Sequence, residues 1–273
     1  MITNLQDTVT LNNGVKMPGF GLGVYKASME ETVHSVKTAL QHGYRHIDTA
    51  SYYQNEEGVG KAIKESGIPR EEIFVTSKVW NEQQGYENTL KAFDESLQKL
   101  DLDYLDLYLV HWPVSGKYKD TWRALEKLYT DGKVRAIGVS NFQAYHLEDL
   151  LKDAKVKPVI NQVEYHPHLT QLEVKEFCEK EDIQLEAWSP LKKGRLLDVP
   201  LLVQLAEKYG KTPAQIILRW DVQNNVITIP KSVKEERIVE NADIFDFALT
   251  DEEMQQINDL NMDDRSGPNP DDF

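Results

Sequence analysis

The sequence predicts an α/β protein, a (β/α)8 (TIM) barrel with an N-terminal β-hairpin plug and two extra helices. Two observations predict it. Eight short apolar runs recur along the 273 residues, and most are followed by a stretch of helical periodicity. Each run breaks into a polar or aromatic cluster, at 21–25, 48–53, 78–80, 111–112, 140–142, 162–166, 188–190 and 231–232. Barrels of this kind do their chemistry at the carboxyl ends of their strands, where these clusters lie.

Taken in order, residues 8–11 and 15–17 flank an Asn12-Asn13-Gly14 turn, a hairpin signal. The hairpin precedes the first barrel strand and is expected to plug the bottom of the barrel. A period of 3.6 then marks helices over 30–42, 57–66, 87–100, 120–131, 144–153 and 172–181. Gly43 stops the first, and Gly67 with Pro69 stops the second. After the seventh strand the spacing changes. Two helical patterns, 201–209 and 214–223, are separated by Gly210 and Pro213 and precede an eighth strand at 226–229. A short helix over 235–241 and another over 251–260 follow, the last opened by Thr250 with Glu253 three residues on, a capping box. One helix of each pair is additional to the regular barrel. Anion sites in this fold form at the loops after strands seven and eight, beside such an extra helix.

With no Pro/Gly/Ser-rich linker or composition shift, 1–273 reads as a single barrel domain. The net charge of −14 argues against a nucleic-acid partner, since phosphate binding draws on clustered Lys and Arg. Cys178 is the only cysteine, which excludes an intramolecular disulfide, and its place on an amphipathic helix suggests a buried, inert thiol. The polar opening and the lack of any apolar stretch near 20 residues argue against a membrane span, so a cytoplasmic protein is expected. A monomer is expected too, for want of an assembly signal.

Two glycine patterns are discounted. Gly19-Phe20-Gly21-Leu22-Gly23 lacks the helix that a dinucleotide fingerprint requires and reads as a close backbone turn at the barrel rim. Gly58-Val59-Gly60-Lys61 sits within a helix pattern. His166-Pro167-His168 invites a metal reading with Glu164 or Asp48, but Pro167 ends the strand and the imidazoles need not converge. No metal is expected.

The informative constellation is Asp48, Tyr53, Lys78 and His111. Three successive strands end in Asp48, Lys78 and His111, and Tyr53 follows in the loop after Asp48. Singly each has an ordinary structural explanation; together they aim a carboxylate, an ammonium, an imidazole and a phenol at one mouth. A carbonyl accepting hydride needs a proton at its oxygen, and a phenol with a pKa near 10 is a weak donor at neutral pH. A neighbouring ammonium would lower that pKa, and a carboxylate would hold the ammonium charged. Moving the phenol from about 10 to about 8 takes about 2.7 kcal/mol. His111 would donate to the carbonyl oxygen as a neutral imidazole.

The strings G-F-G-L-G, R-H-I-D-T-A-S-Y-Y-Q-N-E, T-S-K-V-W, L-V-H-W-P, I-G-V-S-N-F, N-Q-V-E-Y-H-P, A-W-S-P-L and I-P-K-S-V-K-E-E-R-I-V-E-N make the chain resemble an aldo-keto reductase. The likeness runs from the hairpin to about Asn261, and is greatest to bacterial enzymes that reduce glyoxals and diketo sugar acids. It implies an NADPH/NADP+-dependent reductase of small carbonyls, with Tyr53 as general acid, Lys78 and Asp48 tuning it, and His111 orienting substrate. Ser140, Asn141 and Gln162 would bond the nicotinamide carboxamide, and Trp188 would stack on its ring. Ser189 and Leu191 would cradle the pyrophosphate, Lys231, Ser232 and Arg237 the 2′-phosphate, and Glu240 and Asn241 the adenine. Charge-assisted bonds of about 1.5–3 kcal/mol each would favour NADPH over NADH. Tyr25, Trp80 and Trp112 would line the substrate pocket.

Two departures stand out. Lys192 and Lys193 place cations beside the expected pyrophosphate site, to add affinity or to point to solvent. The tail after Asn261 is short and acidic, which implies a more open pocket than in relatives with a long closing loop. The alternative to an enzyme is a redox-sensing binding protein that holds the cofactor on the same barrel; a metal-dependent hydrolase built on His166, His168 and Glu164 ranks third.

Overall fold

The computed structural model describes residues 2–273. Strands β1 (Thr8–Thr10) and β2 (Lys16–Pro18) form the antiparallel hairpin. Eight parallel strands follow: β3 (Leu22–Gly23), β4 (His46–Asp48), β5 (Phe74–Val79), β6 (Leu105–Val110), β7 (Val134–Ser140), β8 (Ile160–Glu164), β9 (Gln184–Trp188) and β10 (Ile227–Thr228). They pair in chain order. The ends meet where Gly21 N donates to Thr228 O and Gly23 N to Pro230 O, closing the barrel. The Gly19–Gly23 string is therefore the closing strand, not a rim turn. Gly21 stands where a Cβ would lie 2.5 Å from His46 Nδ1, so only glycine fits there.

Helices α1 (Met29–Gln41), α2 (Glu56–Ser66), α3 (Tyr86–Leu100), α4 (Tyr118–Thr130), α5 (Ala144–Leu151) and α6 (Leu172–Lys180) follow β3 to β8 in turn. Helices α7 (Pro200–Tyr209) and α8 (Pro213–Gln223) follow β9, and α9 (Glu235–Ala242) and α10 (Asp251–Asn258) follow β10. The two additional helices are where the spacing placed them. Local chemistry sets the helix starts. Ser28 and Glu31 bond reciprocally at α1, Thr212 and Gln215 at α8 with Pro213 at the first position, and Thr250 and Glu253 at α10. Gly60, inside α2, approaches so near the Leu100 carbonyl that a Cβ would lie 2.0 Å from its oxygen, which explains that glycine by packing.

Leu11 and Met17 of the hairpin are buried against Phe74, Leu107, Leu109, Ala136, Ile160 and Ile227, residues from the lower barrel interior. Burying each side chain contributes about 2 kcal/mol. Asn12 Nδ2 donates to the carbonyls of Pro158 and Asp182, and Asn13 Nδ2 to that of Arg135, stitching the turn to three βα units. Above this apolar floor the strand period of two takes over. Phe74, Thr76 and Lys78 alternate along β5, and Ile160, Gln162 and Glu164 along β8; register pairs Gln162 with Glu186 and Ser140 with Gln162. The interior thus passes from apolar at the bottom to ionisable at the top.

Candidate active site

Lys78 is fully buried, with Nζ 2.6 Å from Asp48 Oδ1, 2.9 Å from the Thr49 carbonyl and 3.3 Å from Tyr53 Oη. All three ammonium hydrogens have partners. Burial works against the charge, but Asp48 and Tyr53 outweigh it and hold the lysine above its ordinary pKa. Asp48 is fixed from its other side by Gln162 Nε2, 2.8 Å from Oδ2. Tyr53 sits in a one-turn 3-10 helix, 51–53, that follows the strand-end Asp48.

The phenol does not shift as the sequence reasoning anticipated. Burial pushes Tyr53 up to about 12, and Lys78 opposes this without overcoming it. The reason is geometric: the ammonium lies nearer to Asp48 than to Tyr53, so much of its field is already neutralised. Tyr53 is thus a firmly protonated donor here, and Lys78 acts on the phenolate that remains once the proton has left.

His111 is buried and packs edge-on to Tyr53 and to Trp80, with ring centroids 5.8 and 5.2 Å apart. Burial, reinforced by the Lys78 charge, drives its pKa well below the ordinary value, so the ring is neutral. The carbonyl of His111 accepts from Asn141 Nδ2 at 3.0 Å. Asn141, in the left-handed region at φ 63°, also accepts from Trp188 Nε1 at 2.8 Å, and Ser140 Oγ donates to the Gln162 carbonyl. Ser140 and Asn141 therefore spend most of their hydrogen bonds on the protein, locking His111 and Trp188 in place. Gln162 keeps its Oε1 free.

At the mouth, Tyr25 is exposed and lies 5.0 Å from Tyr53, and Trp80 stacks on Tyr52 at 3.8 Å. Trp112 is buried instead, with Phe273 stacked on it at 4.4 Å. The tail does not leave the pocket open as its length suggested. Glu164 accepts from Ser266 N, Ser266 Oγ and Gly267 N at 2.6, 2.6 and 2.9 Å, and Tyr145 Oη donates to Asp271 at 2.6 Å. Burial would raise Glu164, but bonds from His166, Ser266 and Gly267 hold it down to about 2. Gly267 lies so near Trp188 that a Cβ would come within 2.4 Å of the indole. Tyr52 and Phe273 went unnoticed in the sequence, where neither has a signal beyond being aromatic.

Of the two cations after β9, Lys193 is exposed, whereas Lys192 does not point to solvent. Lys192 is buried and pairs with Asp264 while facing His168 at 3.2 Å, and Lys193 donates to the Ser266 carbonyl at 2.6 Å. Both tie the loop after β9, including Ser189 and Leu191, to the tail. His166 meets Glu164 at 2.9 Å, so the two imidazoles of the His-Pro-His string engage different partners. His46, Asp48 and Glu186 form a compact donor set, but the Lys78 ammonium already sits on Asp48.

After β10, Lys231, Lys234 and Arg237 are exposed and make no ion pair among the described residues, in a chain with 45 acidic groups. Ser232 is buried beside them, its Oγ accepting from Lys234 N at 3.1 Å. Arg237, Glu240 and Asn241 share one face of α9, spaced three and four residues apart. Glu240 already accepts from Thr212 Oγ1 at 3.0 Å.

Comparison with known proteins agrees with this geometry. The chain is 66% identical to a glyoxal reductase of Bacillus subtilis, over 100% of its own length and 99% of that protein's. It is 48% identical to the methylglyoxal reductase DkgA of Salmonella typhimurium, covering 97% of each. The crystal structure of a Bombyx mori aldo-keto reductase in complex with NADP superposes with a TM-score of 0.93, at 37% identity, covering 99% of this chain and 97% of that one. The family model described as the aldo/keto reductase family matches residues 19–262, and a barrel closed on these strands with these strand-end residues belongs to that family.

Proposed function

We propose that the chain is an NADPH-dependent oxidoreductase that reduces small aldehydes, ketones or dicarbonyls to alcohols, with Tyr53 as the proton donor. The observation that carries this reading is Lys78 Nζ, fully buried, held between Asp48 and Tyr53 at 2.6 and 3.3 Å. The names of its relatives, glyoxal and methylglyoxal reductase, point to dicarbonyls as substrates.

The residues present fit the dinucleotide. Trp188 offers an indole fixed through Nε1, and Gln162 offers a free carbonyl oxygen to the carboxamide, with Ser140 and Asn141 behind them. Ser189 and Leu191 border the pyrophosphate region; the unpaired Lys231 and Arg237, with Ser232, suit a 2′-phosphate, and Glu240 and Asn241 the adenine. When bound, NADPH supplies the hydride. Tyr53 Oη delivers its proton to the substrate oxygen, His111 directs that oxygen as a neutral donor, and Lys78 stabilises the phenolate left on Tyr53. The alkoxide that forms is a stronger base than a phenolate, so a phenol with a pKa near 12 still donates downhill. Tyr25, Trp80, Tyr52 and Phe273 give the substrate an aromatic, weakly charged entrance, with Trp112 supporting Phe273.

A monomer in the cytoplasm belongs to the same reading, supported by the acidic excess and by Cys178, a buried thiol pushed up to about 12. Among the described residues no helix is long and apolar enough to cross a membrane. The test is NADPH consumption with a panel of small aldehydes and dicarbonyls. Turnover with methylglyoxal-like substrates is expected; tight NADPH binding with slow exchange and no turnover would favour the redox-sensing alternative.

A further inference from the structure

Glu186 takes no part in the reaction as described, yet it is fully buried inside the barrel beneath the site. Gln162 Nε2 lies 2.9 Å from Glu186 Oε2 and 2.8 Å from Asp48 Oδ2. An amide nitrogen has two hydrogens, and these two carboxyl oxygens take both. The other Glu186 oxygen, Oε1, has no hydrogen-bond partner; His46 Nε2, likewise unpartnered, is 3.6 Å away.

The charges around Glu186 explain how it is tolerated. From β4 it faces Asp48 and His46, and from β5 Lys78. Burial and the Asp48 charge push Glu186 up to about 8, while burial and the Lys78 charge push His46 down to about 3. At pH 7 the pair is a neutral acid beside a neutral imidazole. Oε2 accepts from Gln162, so the proton belongs on Oε1, facing His46. A neutral Glu186 leaves the Lys78 ammonium to Asp48 and Tyr53.

We propose that Glu186 is a positioning residue for the nicotinamide carboxamide: by accepting the second hydrogen of Gln162 Nε2, it fixes that amide with Oε1 toward the cofactor. The inference rests on the reading that NADPH binds against Gln162. With the Glu186 proton on Oε1, facing His46, a flipped Gln162 amide would set its oxygen against two acceptors, Glu186 Oε2 and Asp48 Oδ2, and forfeit two hydrogen bonds. Without Glu186 the flip forfeits one, and the amide is free to turn about its remaining contact.

The test compares binding of NADP+ with that of its 3-acetylpyridine analogue, in which a methyl replaces the carboxamide NH2, by calorimetric titration. The wild type is expected to prefer NADP+ by about five- to tenfold, the worth of one hydrogen bond from that NH2. Glu186→Leu and Glu186→Met, which remove the acceptor, should bring the preference to within about twofold, and Glu186→Gln, which keeps a carbonyl oxygen, should retain it. A purely structural role would weaken both ligands equally and leave their ratio unchanged, which overturns the proposal. Parity in the wild type, or loss of the preference in Glu186→Gln, overturns it without relying on the folding of the apolar variants. Failure of either dinucleotide to bind the wild type would instead refute the cofactor reading.

Discussion

Replacing Lys78 by Met removes the charge and keeps the length of a side chain that is fully buried. An ammonium and a phenolate separated by 3.3 Å, the distance from Lys78 Nζ to Tyr53 Oη, attract by about 5 kcal/mol at an effective dielectric constant of about 20. Asp48, 2.6 Å from the same nitrogen, takes back about half of this, which leaves about 2.5 kcal/mol to stabilise the phenolate as the proton departs. That corresponds to a loss of about 70-fold in kcat. The variant also strands Asp48 as a buried carboxylate, at a cost of about 3–5 kcal/mol in stability. Adding Asp48→Asn should return the stability but not the rate. The assay is steady-state NADPH oxidation with methylglyoxal, alongside urea midpoints for the single and double variants. A Lys78→Met protein that folds and keeps kcat within threefold of wild type would refute the electrostatic role.

Three further outcomes follow from other parts of the molecule. Arg237→Ala and Lys231→Ala should each raise the Kd for NADPH by about tenfold or more while leaving NADH unchanged, measured by fluorescence titration. Glu164, held at about 2 against an unfolded value of about 4.3, contributes stability that is complete above about pH 4.3 and is lost as pH falls through about 2. The difference in unfolding free energy between wild type and Glu164→Gln, read from urea titrations and at most about 3 kcal/mol at pH 7, should shrink to about half by pH 3. Cys178, buried and pushed up to about 12, should not react with an aromatic disulfide reagent at pH 8 in the native protein and should react once per chain in denaturant.

Much of this architecture was legible because it follows from short-range rules. The turn at Asn12-Asn13-Gly14, the cap at Thr250, and the period-two strands that carry Asp48, Lys78 and His111 to one end all depend on neighbours within a few residues. The two additional helices announced themselves through Gly210, Pro213 and the capping box. What escaped depends on contacts across the barrel. The closing role of Gly19–Gly23 requires β10 to arrive beside it, and the tail reveals its anchoring only when Glu164 meets Ser266 and Lys192 meets Asp264, 102 and 72 residues away in sequence. The direction of the Tyr53 shift turned on whether Lys78 lies nearer to Asp48 or to the phenol, a difference of less than an ångström that spacing does not encode. Glu186 reads simply as the strand residue before the A-W-S-P-L string until Gln162 is seen bridging it to Asp48.

The account stands most directly on the proton carried by Tyr53. Single-turnover oxidation of bound NADPH by methylglyoxal, compared between wild type and Tyr53→Phe with the cofactor Kd measured on both, isolates it. A positioned general acid is worth about 10²–10⁴ in rate, so the variant should lose at least about a hundredfold while binding NADPH within threefold of wild type. A Tyr53→Phe protein that reduces methylglyoxal at more than a tenth of the wild-type rate would contradict the account.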